Sequence, residues 1–113
     1  MANSGIPRIP LDKDRIKAFC EKWLVTEFSL FGSVLTEEFR AGSDVDVLVS
    51  FDPRAAWTLF HLVDMENELR TIFGRNVDLV LRKTVERSDN YIRRKSILGS
   101  ARTFYEAGRF LSA

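Results

Sequence analysis

Two carboxylates spaced two residues apart, Asp44 and Asp46, open a segment that is otherwise apolar, Val45 to Phe51. A third, Asp78, interrupts the run Val77-Asp78-Leu79-Val80-Leu81. Aspartate is depleted in strands, and a buried charge is costly unless something compensates it. Asp44 alone reads as an ordinary turn residue after Ser43. Asp46 and Asp78, each inside an apolar strand, are local misfits of the kind that mark functional sites. A period of two puts Asp44 and Asp46 on one face of their strand. If the strand of Asp78 lies beside it, three like charges converge and raise one another's pKa. A divalent cation is the simplest relief, and an all-oxygen donor set favours Mg²⁺ or Mn²⁺ over zinc or copper. An EF-hand does not fit, because the sixth loop position counted from Asp44 is Val49 rather than glycine.

A second feature precedes the first. Phe31-Gly32-Ser33 runs from a strand into a glycine and a capping-type serine. Glycine lets the backbone approach a ligand closely, and free N–H groups at a helical start suit a phosphate. The Ser33 hydroxyl adds a donor. Gly-Ser is common by itself; the spacing to the Asp44/Asp46 pair gives it value.

These residues need elements to carry them. Asp12 caps a predicted first helix with Ile16, Phe19, Cys20 and Trp23 on one stripe. Strands are predicted over 26–31, 44–51 and 76–82, with a short helical segment over 34–39. Residues 55–73 predict the clearest helix, with Leu59, Leu62, Val63, Leu69, Ile72 and Phe73 on its core face and Gly74 as its stop. His61 falls off the centre of that face and reads as a partly exposed structural residue. A last helix is predicted from Asn90 to about Leu111, with Ile97, Leu98, Ala101, Phe104 and Tyr105 inward. Alternating helices and strands predict an α/β (α+β) layer structure, a small mixed sheet flanked by helices. Residues 1–11 read as a lead-in segment and 12–113 as a single domain.

Composition excludes other classes. The 113 residues suit one domain, and no stretch has the length of apolar residues a membrane helix needs. One cysteine and one histidine exclude a disulfide framework and a Cys/His zinc site. A reduced, cytoplasmic setting is expected, with Cys20 as a buried structural thiol. The net charge of +1 hides an asymmetry: residues 1–80 hold 13 acidic against 9 basic side chains, residues 81–113 hold 3 against 8. The acidic part can host cations and the basic tail can meet an anion.

Three quoted stretches, Leu30-Phe31-Gly32-Ser33, Ser43-Asp44-Val45-Asp46-Val47-Leu48-Val49 and Gly74-Arg75-Asn76-Val77-Asp78-Leu79-Val80, resemble the minimal nucleotidyltransferase (MNT) family of the DNA polymerase β-like superfamily. The resemblance covers residues 19–105 and implies the nucleotidyltransferase fold. It implies that Asp44, Asp46 and Asp78 hold two Mg²⁺ ions and form the catalytic centre. It further implies that Gly32 and Ser33 hold the β- and γ-phosphates of ATP and that Ser43 orients the aspartate loop. Where many members carry Arg-Gly after the Gly-Ser, this chain has Val34 to Arg40, with Glu37 and Glu38 close to the expected phosphate site.

The implied reaction is transfer of AMP from ATP to a hydroxyl. MNT proteins are similar to antitoxins paired with HEPN-domain toxins, which implies a HEPN partner and a tyrosine acceptor. The basic residues Arg82, Lys83, Arg87, Arg93, Arg94 and Lys95 are expected to dock that partner or nucleotide phosphates, or to form a solvated helix face. A non-catalytic antitoxin that neutralises by complex formation is the alternative. A nucleic-acid regulator ranks third, because no helix-turn-helix signature is present. No membrane partner is expected, and a homo-oligomer stays open.

Overall fold

The computed structural model describes residues 6–111. The first five residues of the expected lead-in and the last two of the expected domain lie outside them. The remainder of the lead-in packs on the domain: the Arg8 N–H donates to the Val34 carbonyl at 2.8 Å, and Ile9 and Leu11 pack against the core.

Helix α1 spans Lys13–Lys22 and starts where Asp12 accepts the Arg15 N–H. Its stripe is the expected one, with Ile16, Phe19, Cys20 and Trp23 buried. Strand β1 is Val25–Phe31, followed by a 3₁₀ turn over Gly32–Leu35; strand β2 is Val45–Phe51. Helix α2, Leu59–Phe73, starts with the Thr58 N–H donating to His61 Nδ1 at 2.9 Å and stops at the left-handed Gly74. His61 thus has the structural role expected of it. Strand β3 is Val77–Leu81, followed by helices α3, Arg82–Glu86, and α4, Tyr91–Ser100. Strands β4, Arg102–Glu106, and β5, Arg109–Phe110, close the chain.

The five strands form one mixed sheet in the order β3-β2-β1-β4-β5. β2 and β3 are parallel, and every other neighbour is antiparallel. Alternation gives the sheet two unlike faces. One carries Phe28, Leu30, Val45, Val47, Val49 and Val77 and is covered by α1 and α2, through Ile16, Phe19, Met65 and Leu69, to make the main core. The other carries Phe31 and Leu48, which meet Val85 of α3 and Ile97 of α4 in a small second cluster edged by Val80, Leu98 and Ala101. This thinner cover leaves room on the second face.

Four expectations need correction. The helical segment predicted over 34–39 is the 3₁₀ turn over Gly32–Leu35, and the helix predicted from residue 55 starts only at Leu59. The last helix ends at Ser100, and residues 102–110 form a hairpin. Ala107 and Gly108 both take positive φ, 53° and 88°, which makes the tight turn that joins right-twisted strands. Thr103, Phe104 and Tyr105, all good strand formers, pair with β1, and Ser29 and Thr103 share a hydroxyl bond of 3.0 Å. Phe104 and Tyr105 are buried as expected, but from a strand. On α2 the expected core face holds at Leu62, Leu69, Ile72 and Phe73, with Met65 added, while Leu59 and Val63 are 74% and 52% exposed.

Candidate active site

One end of the sheet gathers the end of β1 and the starts of β2 and β3. Phe31 pairs with Asp46 across the antiparallel ladder, and Asp46 pairs with Asp78 across the parallel one. In-register neighbours on parallel strands point to the same face at about 4.8 Å strand spacing. Asp46 and Asp78 therefore stand side by side on the thinly covered face, while their neighbours Val45, Val47 and Val77 point into the main core. Strand alternation explains how one apolar strand tolerates a carboxylate here.

Asp46 is partly buried and Asp78 exposed. Asp44 is exposed in the loop one residue before β2. Burial first, then the charges of Asp78 and Asp44, push the Asp46 carboxyl up to about 6; Arg93 opposes the rise. Of the three carboxylates, Asp46 is the one the other two act on. The three are more loosely gathered than the sequence predicts: among the described residues no three His, Cys, Asp or Glu side chains stand as a preformed metal cage. Asp44 lies outside the ladder that holds the other two in register, so backbone pairing does not draw it in.

Gly32 is fixed by Asp46. Its φ is +77°, and an added Cβ would collide with Asp46 Oδ2 and stand 3.3 Å from Cγ. Only glycine permits both the left-handed turn and the approach of this carboxylate. Ser33 is partly exposed beside it, at the start of the 3₁₀ turn. Glu37 and Glu38 lie beyond that turn and are exposed.

Ser43 orders the loop that delivers Asp44. Its hydroxyl accepts the Arg40 N–H at 2.9 Å, and its own N–H donates to the Arg40 carbonyl at 3.0 Å. A residue that nothing in the sequence singles out completes the loop. Arg75 Nη1 donates to the carbonyls of Ser43, Arg40 and Ala41 at 2.9, 3.2 and 3.3 Å. Its guanidinium sits 4.5 Å from the Phe39 ring centre. Arg75 thereby ties the Asp44 loop to the turn that leads into Asp78. Its signal was only its place, three residues before Asp78.

A cleft of about 380 Å³ opens beside Asp44, bounded by Ser43, Arg70, Gly74 and Arg75. A larger cavity, about 510 Å³, lies at the opposite end of β2 and β3, against Phe51, Trp57, Leu81 and Arg82. It holds none of the three aspartates, so chemistry and not volume locates the site. In that cavity Arg82 Nε lies 2.8 Å from Glu27 Oε1, yet it is buried without an aligned hydrogen bond; the pair is electrostatic only.

The all-oxygen donor set and an Asp46 carboxyl with no hydrogen-bond partner among the described residues fit a hard divalent cation. The chain belongs to the nucleotidyltransferase domain family, whose model matches residues 13–102. It is similar to the protein adenylyltransferase MntA of Thermococcus cleftensis, 33% identical over 70 residues, which cover 62% of this chain and 69% of that protein. In fold it is similar to a toxin–antitoxin crystallised with AMP-PNP, with a TM-score of 0.65, 16% identity, and coverage of 85% of this chain and 74% of that one. It is likewise similar to a structure of a tri-AMPylated Shewanella oneidensis HEPN toxin in complex with MNT antitoxin. That match has a TM-score of 0.56, 17% identity, and coverage of 82% and 68%. No helix among the described residues is long and apolar enough to cross a membrane.

Proposed function

We propose that this chain transfers AMP from ATP to a tyrosine hydroxyl of a HEPN-type toxin and so acts as its antitoxin. The observation that carries the reading is the register of Asp46 beside Asp78 with Gly32 pressed against Asp46. Relatedness to a protein adenylyltransferase supports the nucleotide and the acceptor class.

Asp44, Asp46 and Asp78 would hold two Mg²⁺ ions. Bound there, such ions lower the pKa of an attacking hydroxyl and stabilise a leaving pyrophosphate. The chain's own residues do the rest. The backbone N–H groups opening the 3₁₀ turn at Gly32 and Ser33, with the Ser33 hydroxyl, receive the β- and γ-phosphates. Gly32 keeps the phosphates near Asp46, because no Cβ intervenes. Asp78, exposed at the rim, faces the incoming hydroxyl and takes up its proton. The acceptor oxygen forms a bond to the α-phosphorus, the bond from that phosphorus to the β-phosphate bridge breaks, and pyrophosphate leaves. Ser43 and Arg75 hold the Asp44 loop in place throughout.

The test is incubation with labelled ATP, Mg²⁺ and the HEPN-domain protein of the same organism, read by intact mass. The expected result is the addition of whole AMP units to the HEPN protein and none with Asp46→Asn. Neutralisation of the toxin without any mass change would establish instead the antitoxin that acts by complex formation.

A further inference from the structure

Helix α4 lies on the thinly covered face, anchored by Ile97 against Phe31 and Leu48. Its first turn keeps two features that a solvated helix end would shed. Tyr91 and Ile92 are 59% and 80% exposed. Arg93, Arg94 and Lys95 follow at once, with no acidic residue in the first turn. The positive end of a helix dipole disfavours cations there. The turn is nevertheless well built. Asn90 accepts the Arg93 N–H at 3.0 Å, and Arg94 Nη1 donates to the Ser88 carbonyl. Arg94 and Lys95 stand 5.4 and 5.9 Å from the Tyr91 ring centre, which places the aromatic ring among cations. Arg93 stands one turn before Ile97 on the same helix face, and Ile97 packs on Phe31, the ladder partner of Asp46, so the turn borders the carboxylates.

We propose that the first turn of α4 is the seat of the acceptor protein, which docks an acidic surface with an apolar centre next to its acceptor hydroxyl. The proposal rests on the AMP-transfer reading above and names how that reaction's protein substrate is gripped. The opposite face of the sheet is filled by the core, so a hydroxyl reaches Asp46 and Asp78 from the side of the sheet that α4 borders. An acidic partner with an apolar centre removes both misfits at once: it covers Tyr91 and Ile92 and neutralises the cations beside them. Arg93, Arg94 and Lys95 are consecutive, so the turn presents three cations to such a partner. The other exposed apolar patch, Leu59, Phe60 and Val63, belongs to α2 and lies with the face away from the carboxylates. The exposed pair is one ring and one aliphatic chain; Ile92, the more exposed of the two, suits the apolar centre of a protein surface, and stacking of a nucleic-acid base on Tyr91 is the outcome the test below separates.

The experiment titrates the fluorescently labelled HEPN-domain protein of the same organism with the full chain. The chain carries Asp46→Asn to stop turnover, alone or with Tyr91→Ser, Ile92→Ser or Lys95→Glu. All three added positions are exposed, and circular dichroism checks that each variant is folded. Each added substitution is expected to weaken the complex by about 10-fold, the scale of a central interface anchor. Lys95→Glu should also flatten the dependence on salt. In the active chain the same substitutions should raise the KM for the acceptor and leave the KM for ATP unchanged. Unaltered acceptor affinity in all three variants overturns the proposal. So does a rise in the KM for ATP alone, which would make Tyr91 a nucleotide contact, or a loss of affinity confined to single-stranded RNA. If the unsubstituted chain binds the acceptor through this turn but moves no AMP, the transfer reading fails and the docking surface stands.

Discussion

At the scale of single residues, the site is a contest between charge and burial that a few atoms decide. Gly32→Ala puts a methyl group where Asp46 Oδ2 now lies and forces a side chain into φ +77°. The carboxylate must move by about an ångström, a displacement that costs catalysis on the order of 100-fold. We expect that loss in AMP transfer, with a cooperative unfolding transition retained. Asp46 makes a second prediction. Its carboxyl is raised from 3.8 to about 6, so the fold binds its proton more tightly than the unfolded chain does. The stability that protonated Asp46 contributes is complete below pH 3.8 and is lost as pH rises through about 6. Urea titrations of the metal-free protein should show a midpoint that falls across this window. Asp46→Asn, which has no charge to bury, should flatten that fall. An unchanged slope in the variant would mean that another group governs it.

At the scale of elements, strand alternation does most of the positioning. β2 and β3 each send apolar side chains to one face and an aspartate to the other, and parallel pairing sets Asp46 beside Asp78. That much was legible in Val45-Asp46-Val47 and Val77-Asp78-Leu79 as written. The end of the chain was not. Residues 97–105 have apolar spacing that suits a helix, yet Thr103 to Tyr105 are better strand formers, and the exposed edge of β1 offers them a partner. Tertiary pairing decided between two local readings that were nearly balanced. The hairpin depends on its turn: Gly108→Val, at φ +88°, should cost about 1–2 kcal/mol in chemical denaturation. Its KM for ATP should not change, because β5 sits at the far edge of the sheet from β2 and β3. A lowered nucleotide affinity would show that the hairpin supports the site directly.

At the scale of the whole molecule, the two faces of the sheet divide the labour. The face under α1 and α2 holds the large core, including Cys20, whose thiol burial pushes up to about 12 and so keeps inert. The other face keeps a cover of two short helices and leaves the aspartates accessible. The sequence by itself determined the kind of chemistry: which carboxylates misfit their strands, which glycine precedes them, and that helices and strands alternate. Those are properties of residue type and spacing, which are read without any distant partner. Only the tertiary structure decided that Arg75 holds the Asp44 loop, that the chain ends in a hairpin, and that α4 opens beside Asp46. Each of these depends on partners between about thirty and about eighty residues away in the chain, and no local pattern records which of several compatible partners will be met.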